Sequence, residues 1–129
     1  MAQTLPSFIA NPSLAGREAQ YVALTVKSSA VLKSWKLSLF SYEWLLPDGQ
    51  IRPVDDLPLK EREKRLQVED ALKRGTPLIT PVLGIGIMDN IEIGSGRDVF
   101  LTLSALGYDH IPVYAPKSCL KEFKSFQLS

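Results

Sequence analysis

The chain has 129 residues, 45% of them hydrophobic and 22% charged, which fits one globular domain with one core. Its 15 basic and 14 acidic residues leave a formal net charge of +1, so no global charge points to nucleic acid or to a membrane surface. A single cysteine and a single histidine exclude an internal disulfide and a zinc site of nitrogen and sulfur ligands. The N-terminus does not resemble a signal peptide and no stretch approaches ~18 apolar residues. We therefore expect a cytoplasmic protein that does not span a membrane.

The first residues have a composition unlike the rest of the chain. Residues 1–20 carry two prolines and little periodicity, so we interpret them as an irregular N-terminal arm that precedes one domain over residues 21–129. Residues 21–26 (YVALTV) are rich in β-branched and aromatic side chains and predict a strand. Residues 27–34 fit a helix and a loop equally well.

An aromatic segment follows, residues 34–46 (SWKLSLFSYEWLL). Polar and apolar residues alternate in it and the phase of the alternation changes at Leu39 and Phe40, which predicts one bent strand or two strands that meet there. Such an aromatic row can stack nucleic acid bases, but it more often belongs to the core or to a partner interface, and we favour the core. Residues 47–49 (PDG) predict a turn that pairs this strand with residues 50–54 as a hairpin.

A charged helix and a short β region come next. Residues 57–74 carry acid-to-base pairs four positions apart, such as Glu61 with Arg65, and predict a solvated helix that ends at Gly75. Residues 76–88 contain prolines, glycines and the run VLGIGI, which predicts strand structure.

Residues 91–116 form the central unit of the prediction: a strand, a glycine-rich turn, an apolar helix and a second short strand. Ser95 and Asp98 have the spacing of a capping box at the start of the helix. The helix is apolar on nearly every side, so we expect it to be buried against a sheet, and Gly107 is suited to end it.

The last part of the chain also predicts a helix, because Leu120, Phe123 and Phe126 recur every third residue. Together the elements predict an α+β fold, a small mixed β-sheet with helices packed on it.

The glycine-rich turn is the place where the sequence indicates chemistry. A helix N-terminus presents unpaired amides with partial positive charge, glycines let a phosphate come close to the backbone, and Arg97 offers a guanidinium in the first turn. The alternative is that the glycines only turn the chain, Ser95 and Asp98 only cap the helix, and Arg97 points into solvent. Asp98 also counts against an anion site, since it places a carboxylate where a phosphate would lie.

The turn and its surroundings resemble a known family. GSGR at residues 94–97, followed by an apolar helix and ALGYDHIPVY, is similar to the G-x-x-R signature of the ParB/sulfiredoxin superfamily. IRPVDDLP at residues 51–58 resembles the opening strand of that family, and the charged helix and TPLITPVLGIGI follow in the same order. The resemblance covers about residues 50 to 116.

The resemblance implies a ParB/sulfiredoxin-like domain that binds nucleotide phosphates at this turn. ParB proteins of this superfamily are CTP-dependent DNA clamps, sulfiredoxins use ATP, and some relatives are described as ATPases or nucleases. We therefore expect a nucleotide-binding accessory protein of plasmid or phage type, with ATP or CTP, Mg²⁺, and weak NTP hydrolase or nuclease activity. The expected phosphate-binding residues are Gly94, Ser95, Gly96, Arg97, Arg52 and Arg65. Arg62, on the same helix as Arg65, is a further candidate for the same anion site.

Departures from the family motif favour a second hypothesis. Ser95 stands where sulfiredoxins have their catalytic cysteine, so sulfinic acid reduction is not expected. Ser95 and Gly96 also replace the polar or charged residues usual in ParB proteins, so phosphate binding is expected to survive better than catalysis. The alternative is a protein-interaction module that keeps the fold without the chemistry. Direct DNA binding is the third hypothesis, and the near-neutral charge makes it the weakest.

Overall fold

In the computed structural model, which describes residues 6–124, short strands and helices alternate along the chain. Within this range the α-helices are α1 (Ser28–Trp35), α2 (Leu59–Arg74), α3 (Arg97–Ala105) and α4 (Leu120–Phe123). The strands are β1 (Phe8–Ile9), β2 (Tyr21–Lys27), β3 (Leu78–Ile79), β4 (Leu83–Ile85), β5 (Ile91–Ile93) and β6 (His110–Pro116). The predicted α+β class is confirmed.

The strands form three short pairings. β2 and β6 pair antiparallel over seven residues each, β4 and β5 pair antiparallel, and β1 and β3 pair parallel. A single parallel bridge between Val82 and Tyr114 connects the β4–β5 pair to β6. Pro81 lies between β3 and β4 and has no N–H to donate to a ladder, which accounts for the interruption there. The predicted mixed sheet is therefore divided into short ladders.

The elements with the strongest sequence signals lie where they were predicted. α2 ends at Gly75, which has the left-handed φ of 70°. α3 follows β5 through the glycine turn, and residues 99–103 of this helix are all buried. β2 matches the predicted strand, and residues 27–34, for which helix and loop were both open, form most of α1.

The prediction of a bent strand over residues 34–46 is wrong. α1 continues to Trp35, and after two turns a 3₁₀ helix occupies Ser41–Glu43. The hydroxyl of Ser41 donates to the carbonyls of Lys36 and Ser38 at 3.1 and 2.9 Å, and such local bonds stabilise turns at the expense of strand pairing.

The burial of the aromatic segment is correspondingly uneven. Trp35 and Trp44 are fully buried, as the core hypothesis requires. In contrast Leu39, Phe40 and Tyr42 are 81%, 56% and 68% exposed, because the turns between α1 and the 3₁₀ helix direct them outward. Ser38 and Ser41 are buried instead, so burial in this segment recurs about every third residue and does not follow the alternation of polar and apolar residues.

The hairpin predicted after this segment is present in reduced form. The amide of Leu46 donates to Gln50 O at 2.8 Å, and Leu45 and Ile51 form a single antiparallel bridge. Gly49 provides the positive φ of 92° that the turn requires. This short pairing fixes the position of Arg52, whose amide donates to Trp44 O at 2.7 Å.

The described part of the predicted N-terminal arm, residues 6–20, contains only short regular elements. β1 pairs with β3, and 3₁₀ helices occupy Pro12–Leu14 and Glu18–Gln20. Asn11 is buried and its Nδ2 donates to Thr80 O at 2.9 Å, so this segment packs into the fold.

The C-terminal helix is shorter than its sequence pattern indicates. α4 has four residues and buries Phe123, whereas Phe126 lies outside the described residues. Among the helices of residues 6–124, none is long and apolar enough to cross a membrane.

Gly96 and Gly75 give a matched test of the packing around the glycine turn. Both have positive φ, but a Cβ on Gly96 would lie 2.9 Å from Pro81 Cα, whereas one on Gly75 would meet nothing within 4 Å. We expect Gly75→Ala to lower the free energy of unfolding by about 1 kcal/mol and Gly96→Ala by about 3 kcal/mol, because only the second adds a backbone clash to the cost of the left-handed conformation. Urea denaturation measures both, and equal losses would contradict the close approach of Pro81.

Candidate functional site

Packing explains one of the two glycines of the predicted phosphate turn. Gly96 has a φ of +83° and lies so close to Pro81 that no side chain fits. A Cβ on Gly94 would lie 3.4 Å from the carbonyl oxygen of Val82. The chain itself therefore accounts for the glycine at position 96, whereas the contact at position 94 is close to an ordinary van der Waals distance and does not by itself require a glycine.

The predicted capping box is wrong. α3 begins at Arg97, its N-cap residue is Gly96, and no side chain caps it. The Ser95 hydroxyl instead exchanges hydrogen bonds with the Asn11 side-chain amide, at 3.0 and 3.2 Å. The Ser95 hydroxyl thus bonds to the N-terminal segment and not to the helix, and the N-cap residue Gly96 has no side chain that could accept from the first amides of α3.

Arg97 does not extend from the turn as an anion clamp. Its Nε donates to Ile93 O at 3.0 Å. Its guanidinium carbon lies 5.7 Å from the ring centroid of Trp35 and 5.4 Å from that of Phe40, within the range of cation–π attraction. The side chain is therefore held against the aromatic rings at the end of α1.

The cavity beside the turn has a mixed charge. It measures about 430 Å³ and is lined by residues 94–98 together with Glu61, Lys64 and Gln67 from α2. Lys64 Nζ lies 3.5 Å from the Glu61 carboxylate, and Asp98 adds a second carboxylate to the lining. This arrangement does not favour an anion in front of α3.

Arg52 and Arg65, the other two predicted residues, lie together in a different place. They line a cavity of about 720 Å³, which we call the basic cavity, between α1, the 45–51 hairpin, α2 and the C-terminal end of α3. Its lining comprises Ser29, Leu32, Lys33, Lys36, Asp48, Gly49, Gln50, Ile51, Arg52, Pro53, Arg65, Ser104 and Ala105. The six predicted residues therefore do not surround one anion. The glycine turn and Arg97 lie at the N-terminal end of α3, and the two arginines at its C-terminal end.

α1 supplies two of the cations of the basic cavity. Ser29, Leu32, Lys33 and Lys36 follow the helical spacing that puts residues on one face. The opposite face of α1 buries Val31 and Trp35 in the core. Because the core fixes the rotation of the helix, both lysines are presented to the cavity.

Arg52 is positioned by contacts at both ends of its side chain. Its Nε donates to Tyr42 O at 3.0 Å, and its Nη1 lies 3.2 Å from Asp56 Oδ2. The side chain is 26% exposed, so it stays accessible from the cavity.

Arg65 and Ser104 are the buried polar groups of the lining. Arg65 is 8% exposed, and its Nε donates to Glu69 Oε2 at 2.8 Å, which uses one of the five N–H donors of the guanidinium. The Ser104 hydroxyl oxygen is buried and has no hydrogen-bond partner within residues 6–124. Three other buried polar atoms of residues 6–124 also have no partner, Trp35 Nε1, Arg62 Nε and Thr102 Oγ1, but of these four residues Ser104 is the one that lines the basic cavity.

Arg62, the remaining candidate from α2, is used within the fold. Its Nη2 donates to the carbonyls of Asp55 and Leu57 at 3.0 and 3.2 Å, which attaches the segment before α2 to the helix. It does not line the basic cavity.

The structure gives no metal centre in its described part: among residues 6–124, no three or more His, Cys, Asp or Glu side chains are grouped so as to hold a metal ion. The involvement of Mg²⁺ stays a prediction.

Comparison with known proteins leaves the resemblance untested, since no protein-family model, no curated protein and no solved structure matches this chain. Membership of the ParB/sulfiredoxin superfamily therefore remains a prediction.

Sequence reasoning missed Lys33, Lys36 and Ser104. The two lysines are three residues apart, a signal that becomes informative only once residues 28–35 are recognised as a helix. Ser104 gave no signal, because its burial beside Arg65 arises from the packing of α3.

The role of Ser95 can be tested by a double-mutant cycle with Asn11. If the hydroxyl bonds to Asn11, Ser95→Ala and Asn11→Ala should show a coupling free energy of about 1 kcal/mol. If the hydroxyl capped α3, Ser95→Ala would cost the same with and without Asn11. Chemical denaturation of the four proteins measures the coupling, and additive losses would contradict the observed bond.

Proposed function

We propose that this chain is a nucleotide-binding protein whose phosphate-bearing ligand occupies the basic cavity. The observation that carries the proposal is the pairing of a buried guanidinium, Arg65, with the unpartnered buried hydroxyl of Ser104 in a cavity that Lys33, Lys36 and Arg52 also line. A phosphate group can accept hydrogen bonds both from a hydroxyl and from a guanidinium.

The chemistry of the lining favours phosphate over other anions. A guanidinium presents donors in a planar fork that matches two phosphate oxygens, and removal from water strengthens such charge-assisted bonds. The volume of about 720 Å³ lies in the range of small-molecule sites, roughly 300–1,000 Å³. Leu32, Ile51 and Ala105 add apolar surface for the organic part of a nucleotide.

The proposal is for binding, without an assigned catalytic residue. Asp48 is the one carboxylate among the residues that line the basic cavity, and it lies in an exposed turn. Hydrolysis or nuclease activity needs a positioned base or a bound metal, and neither has a candidate in this lining. The proposal keeps the nucleotide ligand and the cytoplasmic location expected from the resemblance, but moves the site to the other end of α3.

Calorimetric titration with AMP, CMP, ATP and CTP tests the proposal. We expect saturable binding that weakens at least tenfold in the Lys33→Ala, Lys36→Ala double variant, because two charge-assisted contacts are lost. Lys60→Ala is the matched control, since it removes an exposed lysine from α2 that does not line the cavity. Both lysines of the pair are exposed, so thermal melting should show little change.

The Arg97→Ala variant distinguishes a phosphate site in the basic cavity from one at the glycine turn. Under this proposal it leaves nucleotide affinity unchanged, whereas a phosphate at the glycine turn requires Arg97. Loss of binding in Arg97→Ala with full binding in the lysine double variant would return the site to the turn. Absence of binding by every nucleotide at ~1 mM, where about −4 kcal/mol is detectable, would contradict both locations.

A second candidate function is supported by an exposed apolar surface. The loop after α1 contacts β5, because Ser38 Oγ donates to Glu92 Oε1 at 2.6 Å, and the turn that carries Ile87 and Met88 immediately precedes this strand. This apolar surface comprises Leu37, Leu39, Phe40, Tyr42, Ile87 and Met88, all more than half exposed. Contiguous exposed apolar residues mark interaction sites, and we propose a second copy of the chain as the partner.

Light scattering over a concentration series tests self-association. We expect a dimer whose dissociation constant rises at least tenfold in Leu39→Ser and in Ile87→Ser, which remove side chains that are 81% and 95% exposed. Leu59→Ser is the control, because Leu59 is 67% exposed on α2. A monomeric mass at every concentration would contradict the second candidate.

A further inference from the structure

The charges around the basic cavity indicate which phosphate compounds fit it. This inference rests on the proposed function of the cavity. Two of the four cations already have carboxylate partners, Arg52 with Asp56 and Arg65 with Glu69. Asp48 adds a third carboxylate to the four cations, so the site carries one net positive charge.

We propose that the ligand is a phosphomonoester dianion, of the nucleoside monophosphate class, in preference to a nucleoside triphosphate. A dianion changes the local charge from one positive to one negative, which leaves little uncompensated charge. A free triphosphate brings about four negative charges, and most of them would remain uncompensated in a partly buried site where charges interact strongly. A monoanionic ester is expected to bind more weakly, because it lacks the second negative charge that the two lysines attract.

The burial of the lining gives the phosphate one preferred position. Arg65 and the Ser104 hydroxyl are buried, whereas Lys33 and Lys36 are exposed. An incoming anion therefore meets the lysines first and reaches the guanidinium fork and the hydroxyl at the inner end. These donors suit a terminal phosphate with free oxygens, and a diester has fewer oxygens to offer them.

Competing nucleotides on one base provide the test. AMP, 3′,5′-cyclic AMP and ATP share adenine and differ in phosphate charge and number, and the cytosine series repeats the comparison. ATP and CTP are measured with and without Mg²⁺, since bound Mg²⁺ lowers the charge of a triphosphate to that of a dianion. We expect each monophosphate to bind at least tenfold more tightly than its cyclic form and than its metal-free triphosphate, and we expect Mg²⁺ to narrow the difference from the triphosphate, because the complex is itself a dianion.

Ser104→Ala is the variant that tests the inner phosphate position. It should weaken monophosphate binding about fivefold without lowering the melting temperature, because the hydroxyl has no partner in the described protein to lose. Arg65→Lys keeps the charge and removes the fork, so it should reduce the preference for the monophosphate over the cyclic form. Unchanged affinity in Ser104→Ala would overturn the inner position.

The outcomes separate this inference from the proposed function. Tighter binding of a triphosphate or of a cyclic form, still lost in the Lys33→Ala, Lys36→Ala variant, would overturn the monophosphate inference and leave the basic cavity as the nucleotide site. Binding that is unaffected by the lysine double variant, or no binding at all, would overturn both.

Discussion

The burial of α3 is the constraint on which the rest of the structure depends. Residues 99–103 are buried all round, so every neighbouring element has to cover a face of this helix. α2 packs against it, and the core contacts of α1 fix the direction of Lys33 and Lys36. The two ends of α3 open into the two cavities, because a short buried helix can be covered along its length more easily than at its termini.

The elements that were predicted correctly are those whose structure is determined by the chemistry of a few residues close together in the sequence. Gly75 ends α2 in a conformation that other residues adopt at a cost, and the continuous apolar run of α3 permits only a buried helix. The prediction for the segment after α1 was wrong because its sequence pattern does not determine one structure. Its alternation is equally consistent with a strand and with a helix end followed by turns, and the serine bonds that decide between them involve residues too close in sequence to leave a periodic signal.

That one error carried through to the candidate site. Because residues 34–46 were predicted to be a strand, the end of α1 was not identified. The three-residue spacing of Lys33 and Lys36, which indicates a shared face only in a helix, could therefore not be interpreted. It also left Trp35 and Phe40 unplaced, although the Arg97 guanidinium lies against both rings. Arg52 and Arg65 were identified only through the resemblance to a family, and their proximity depends on the hairpin and α2 being packed together. Trp44 contributes to that packing by donating from Nε1 to Glu61 at 3.0 Å.

Gly96 in the glycine turn and Ser104 in the basic cavity differ in what explains the residue at each position. Gly96 is costly to replace because Pro81 leaves no space, and this requirement is satisfied within the fold. Ser104 is different, since a buried hydroxyl without a partner lowers stability by about 1–3 kcal/mol, a large share of a total of roughly 5–15 kcal/mol. Within residues 6–124 the Ser104 hydroxyl has no partner, and Arg65, a buried cation, lines the same cavity. A ligand that accepts from both would remove the cost on binding, which is the physical reason to look for function at the C-terminal end of α3.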